Sequence, residues 1–228
     1  MSGWRAIWSW TAGPRTLSNA TGDQLLGLFA NQEMFQQRPE GQGDIYDPVV
    51  SLRQMTRKAI ETLSQNKKGF FLVIEEEAID EMAHSNNSQQ TIDTVLELDR
   101  AVALGKRFAG PRRDTLLITT ADHETGGMAI EALDNPQYPR RERGRHLCRR
   151  RSVRRGRLRL SFIVDWTTTG HTNVDVPLTA MGPGAARLNG VYENTFVHDV
   201  LVYRRRLAGT EPSAIGQQNP SPREKVTR

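Results

Sequence analysis

The chain has 228 residues, 37% of them hydrophobic with 19 glycines besides, which supports a packed core and excludes a wholly disordered or fibrous chain. No apolar run reaches the ~18 residues of a membrane span, the start MSGWRAIWSW has neither the basic residues nor the apolar centre of a signal peptide, and one cysteine, Cys148, excludes an internal disulfide and any multi-cysteine zinc site. Formal net charge is +5, but eleven arginines and one glutamate lie between Arg140 and Arg159. Removing them from 31 basic and 26 acidic residues leaves 20 against 25, so the remainder is net −5 and the basic character belongs to one segment.

Residues 1–22 hold three of the four tryptophans (Trp4, Trp8, Trp10) without a helical or strand period, and read as an irregular amino-terminal segment. LLGLFA from Leu25 reads as a short buried strand and GQGDIYDPVV as a loop. From Ser51 to Gln65, Leu52, Met55, Ala59, Ile60 and Leu63 recur at helical spacing. GFFLVIE is a nearly continuous apolar run that predicts a strand covered on both faces and ends at Glu75. Ile92, Val95, Leu96, Leu98, Val102 and Leu104 predict a helix closing at Gly110 and Pro111, and DTLLITT a second buried strand ending at Asp122 and His123. Strand, helix, strand in that order implies a parallel pair in an α/β sheet, with ligands gathered beyond the carboxyl ends of the strands. Past the arginine-rich residues 134–160, SFIVDW resumes globular sequence, VPLTAMG reads as another strand, and a closing helix spans about Thr195 to Leu207. Residues 208–228 read as a polar tail.

Six side chains are competent to hold metal: Glu75, Asp80, His84, Asp122, His123 and His171. Imidazole with carboxylate suits Zn²⁺, and oxygen donors alone suit Mg²⁺. Asp80 and His84 are four apart, so a helix beginning after Ile79 would project both from one face. Asp122 and His123 would leave a strand end where a sharp turn lets both converge, and Gly170 lets the loop carrying His171 approach closely. Each has an ordinary alternative: Glu75 a solvated strand end, His84 a surface helix residue, Asp122 an N-cap, His171 a loop filler. Spacing alone leaves these open. His146 and His198 have no such context and read as structural.

VIEEEAIDEMAHSNN, TADHETGGM and WTTTGHTNVDVP together resemble the metal-binding half of alkaline phosphatases. LLGLFANQEMFQQ, DIYDPVV and GPGA resemble that family's connecting segments in the same order, so the likeness covers roughly residues 23–135 and 161–205. The resemblance implies a partial alkaline-phosphatase-like α/β fold over residues 23–207, its sheet mostly parallel and flanked by helices, with an irregular arginine-rich insert. It further implies that Asp80, His84 and His171 bind one zinc, Asp122 and His123 a second, and Glu75 a magnesium ion. In that family a serine attacks the phosphorus of a phosphate monoester to give a phosphoserine enzyme, with metal ions stabilising the in-line displacement. A homodimer in the periplasm or outside the cell is implied as well.

The family's Asp-Ser-Ala type nucleophile motif is missing from this sequence, so the expectation is a fragment with little activity of its own. The arginine block replaces a variable polar segment and is expected to be disordered or the product of compensated frame shifts. Its rival reading, a basic nucleic-acid-binding insert, is weakened by the lack of interleaved aromatics for base stacking. A non-catalytic metal- or phosphate-binding fragment is the other alternative.

Overall fold

The computed structural model describes residues 5–7, 13–29, 49–132, 146–148 and 162–207. The chain divides into two compact units, one formed by residues 1–106 with 121–176 and the other by 107–120 with 177–228.

In the first unit, the amino-terminal stretch that shows no period in its sequence carries a strand and a helix, β1 (Arg5–Ile7) and α1 (Pro14–Asn19). Pro14 opens α1, where its missing N–H costs nothing. The LLGLFA run contributes β2 (Leu25–Gly27), which pairs in parallel with β1 but is not buried as expected, Leu26 and Leu28 being exposed. The predicted helix is α2 (Leu52–Leu63), begun by a capping box in which Ser51 Oγ accepts from the Gln54 N–H and Gln54 Oε1 accepts from the Ser51 N–H.

GFFLVIE does not form the expected strand. Residues 69–76 form no helix or strand and pair with no strand among the described residues, and Phe71 and Val73 are 73% and 70% exposed. Two-sided burial requires neighbouring strands, and among the described residues none pairs with this segment. The chain then turns into α3 (Ala78–His84), whose Ala78 and Met82 are fully buried. Asp80 and Glu81 in its first turn and His84 in its last suit the helix dipole. The helix ends at Ser85; Asn86 adopts φ 55°, a left-handed conformation that asparagine tolerates.

The next helix, α4 (Ser88–Ala109), starts where the Asn87 side chain accepts from the Gln90 N–H. Its buried stripe is Ser88, Thr91, Thr94, Glu97, Ala101, Gly105 and Ala109, whereas Val95 and Leu96 are exposed. Burying small polar groups is feasible because Thr91 and Thr94 donate back to the carbonyls of Asn87 and Gln90. Glu97 accepts from the Arg53 N–H (3.1 Å) and from Arg100 Nη1 (2.8 Å), so the carboxylate acts as a second cap on α2.

Two antiparallel sheets complete this unit. The strands β4 (Glu124–Thr125) and β8 (His171–Thr172) face each other, Glu124 opposite Thr172 and Thr125 opposite His171. A three-stranded sheet has the order β5 (Ala129–Ala132), β7 (Phe162–Asp165), β6 (His146–Cys148). Thus part of the arginine block is paired strand, and His146 lies on it; the rest of the block and the expected polar tail fall outside the described residues.

In the second unit, β3 (Leu117–Thr119) pairs antiparallel with β9 (Thr179–Met181), the strand expected from VPLTAMG. Gly182 at φ 98° lies so close to the Thr115 carbonyl that a Cβ would sit 2.1 Å from the oxygen. A 3₁₀ turn at Ala185–Leu188 and α5 (Thr195–Leu207) follow, the latter with the predicted bounds.

Helices and strands mix as expected of an α/β chain, but the sheet is not mostly parallel. Among the described residues only β1 and β2 pair in parallel. The expected parallel strand–helix–strand unit does not form among the described residues: GFFLVIE makes no strand there, and β3 pairs with a later, antiparallel strand.

Candidate metal centre

Three stretches meet in the first unit. The α3 helix presents Asp80 and His84 one turn apart, and the latter's Nε2 lies 3.2 Å from Asp80 Oδ2. His171, at the start of β8, brings its Nε2 within 3.1 Å of His84 Nε2 and 3.5 Å of Asp80 Oδ1. His123 precedes β4 and stacks on the His171 ring with centroids 3.7 Å apart. Asp80, His123 and His171 each offer a ligand atom, all within 4.8 Å of one another.

Backbone geometry holds the stretches together. The turn after β4 contains Gly126 (φ 84°) and Gly127 (φ 60°), conformations that L side chains rarely adopt. The Gly126 N–H donates to the Gly170 carbonyl, and the Gly126 carbonyl accepts from Thr167 and Thr168, so residues 167–170 are laid along the turn and lead into His171. A Cβ on Gly126 would meet the Trp166 ring at 2.5 Å, and one on Gly127 would meet Thr167 Oγ1 at 1.8 Å. Glu124 completes the arrangement by accepting from the Gly127 N–H (2.8 Å) and from the Thr172 hydroxyl. On the far side, Trp166 Nε1 donates to the buried Ser88 Oγ at 3.0 Å.

The donor set fits a cation. His84 Nδ1 is 2.6 Å from the Thr169 carbonyl, which can only accept, so that nitrogen carries the hydrogen. In the neutral ring Nε2 is then a bare lone pair, aimed at a carboxylate oxygen of Asp80 and at His171 Nε2. Acceptors that converge in this way are satisfied by a shared positive ion, and a ligating histidine characteristically donates its other N–H to a carbonyl. The surroundings are negative: Glu77, at the start of α3, has its carboxyl pushed above the usual range by partial burial and by Glu75, Glu81 and Asp80 nearby.

Of the six residues named from the sequence, Asp80, His84, His123 and His171 form one cluster. Asp122 joins it at the edge through His123, its Oδ2 3.2 Å from Nε2, and is highly exposed. It does not leave a strand end directly, since β3 stops at Thr119. Glu75 is exposed on the segment before α3 and has no described hydrogen bond or ion pair with the cluster. Sequence reasoning passed over Thr125, whose hydroxyl donates to Asp80 Oδ1, together with Glu124 and the Thr169 carbonyl. The ETGG run signalled Thr125 and Glu124, but only as a mark of resemblance.

The alkaline phosphatase family model matches residues 2–146, and the chain belongs to that family. It is 28% identical to alkaline phosphatase 4 of Bacillus subtilis, an alignment covering 84% of this chain and 50% of that protein. The alkaline phosphatase of Escherichia coli is 44% identical over 84 residues, 37% of this chain and 18% of the relative. Among solved structures, the enzyme of the Antarctic bacterium TAB5 superposes with a TM-score of 0.55 at 28% identity, over 68% of this chain and 41% of that one. A TAB5 variant solved with Mg bound in its M3 site matches similarly, with a TM-score of 0.54 at 27% identity over the same shares of each chain. The cold-active alkaline phosphatase of Shewanella shares the fold, with a TM-score of 0.65 at 23% identity over 91% of this chain and 60% of that one. The chain spans half or less of the length of the curated relatives it matches.

Proposed function

We propose that this chain supplies the metal-binding half of a phosphate-monoester hydrolase. Asp80, His84 and His171 would hold one zinc ion, Asp122 and His123 a second, and Glu75 a magnesium ion. The observation that carries the reading is the convergence of the His84 Nε2 lone pair with Asp80 and His171, a nitrogen and oxygen donor set of the kind zinc takes. Magnesium at Glu75 rests on its all-oxygen chemistry and on the magnesium in the TAB5 variant.

The cations would supply Lewis-acid stabilisation of charge on the phosphoryl oxygens. The protein's part is to fix donors before substrate arrives: the Thr169 carbonyl sets the tautomer of His84, and the glycine turn places His171. No residue of this chain is assigned as nucleophile, so the reaction would need the phosphoserine-forming serine from elsewhere. An intact homodimer in the periplasm or outside the cell is the setting the resemblance implies.

The test pairs zinc uptake, measured by equilibrium dialysis with elemental analysis, with hydrolysis of p-nitrophenyl phosphate. Stoichiometric zinc without appreciable turnover is expected. Failure to take up zinc overturns the metal reading, and robust turnover by the purified chain overturns the absence of a nucleophile.

A further inference from the structure

We propose that Thr125 is a positioning residue shared by both zinc sites, its single hydroxyl setting Asp80 in one and His123 in the other. The inference rests on the metal reading above. Thr125 Oγ1 donates to Asp80 Oδ1 and lies 3.2 Å from His123 Nδ1. A hydroxyl has one hydrogen. Given to the carboxylate, it leaves the oxygen to accept, so in this arrangement His123 Nδ1 is the donor. His123 Nε2 is then the free ligand atom of the neutral ring, and it is the nitrogen 3.2 Å from Asp122 Oδ2. The same hydroxyl therefore orients a carboxylate proposed for one zinc and selects the tautomer of an imidazole proposed for the other.

Thr125 is well held for this task. It faces His171 across the β4–β8 pair, so its backbone is tied to a third ligand. Its neighbour Glu124 anchors that pair through the Gly127 N–H and the Thr172 hydroxyl, while Gly126 and Gly127 provide the turn. ETGG thereby acquires a division of labour: glutamate fastens the ladder, threonine aims two ligands, and the glycines let the chain fold back.

The experiment is a Co²⁺ titration of the full chain, followed by visible absorption and by competition with a chelator, on the wild type, T125V, T125A and T125S. Valine keeps the shape and β-branching of threonine, and circular dichroism checks that each variant is folded. Loss of the hydroxyl in T125V and T125A is expected to weaken Co²⁺ binding by ~10- to 100-fold, the usual effect of removing a group behind a metal ligand. The ligand-field spectrum should change with it, and T125S should restore both. Wild-type affinity and spectrum in T125V and T125A overturn the proposal, as does T125S behaving like T125V, because a hydroxyl at this position would then not restore binding. A wild-type chain that binds no Co²⁺ instead overturns the metal reading on which it rests.

Discussion

His84 and His171, 87 residues apart in sequence, bring their Nε2 atoms within 3.1 Å of each other. One hangs from the last turn of a helix and the other opens a two-residue strand, so the encounter is a product of the fold and of no local motif. Replacing His171 with alanine or Asp80 with asparagine should lower zinc affinity by more than the ~100-fold seen for groups behind the ligands. Competition with a chromogenic chelator measures this, with H198A, at an exposed helix position, as the control expected to match the wild type.

The glycine turn should be intolerant of side chains. Gly127→Ala combines a positive φ with a Cβ placed 1.8 Å from Thr167 Oγ1, so the loop leading to His171 must move. A loss of roughly 1–3 kcal/mol in stability is expected from the backbone conformation alone. Urea denaturation measures the loss, and zinc affinity should fall with it, whereas Gly13→Ala, with open space around its Cβ, should leave zinc binding intact.

Ser51→Ala removes the hydroxyl that accepts from the Gln54 N–H and breaks the capping box of α2. The expected cost is about 1 kcal/mol, read as a lower urea midpoint with an unchanged slope. Zinc binding should not change, because α2 contributes no ligand.

Glu97→Ala should be costlier than most surface changes. The carboxylate is 5% exposed and accepts from both the Arg53 N–H and Arg100, so its removal leaves a backbone donor of α2 without its partner. A loss of about 1–3 kcal/mol is expected by the same measurement, and E97Q, which keeps an acceptor, should recover part of it.

The convergence of Asp80 with His84 was more legible in the sequence than sheet topology. Asp80 and His84 could be placed together because a four-residue step is one helical turn, a local rule that needs no knowledge of the rest of the chain. The limits of α2 and α5 followed from equally local signals. GFFLVIE misled because an apolar run reports what a segment would bury, whereas pairing depends on which strands lie beside it. The leucines and valines of α4 announced the helix but not its buried stripe, which is the one whose hydroxyls and carboxylate find partners at hand. Thr125 was legible as a letter of a motif, but its role needed the register that sets it across from His171.

The exposed ribbon at Phe71 and Val73 bears on how the molecule would fare inside a cell. An exposed apolar segment is what holding chaperones grip on nascent chains, and what two copies fuse through when crowded. A host expressing this polypeptide alone should therefore keep much of it in chaperone complexes or inclusion bodies, and the yield of free protein should rise when those two side chains are replaced by lysine.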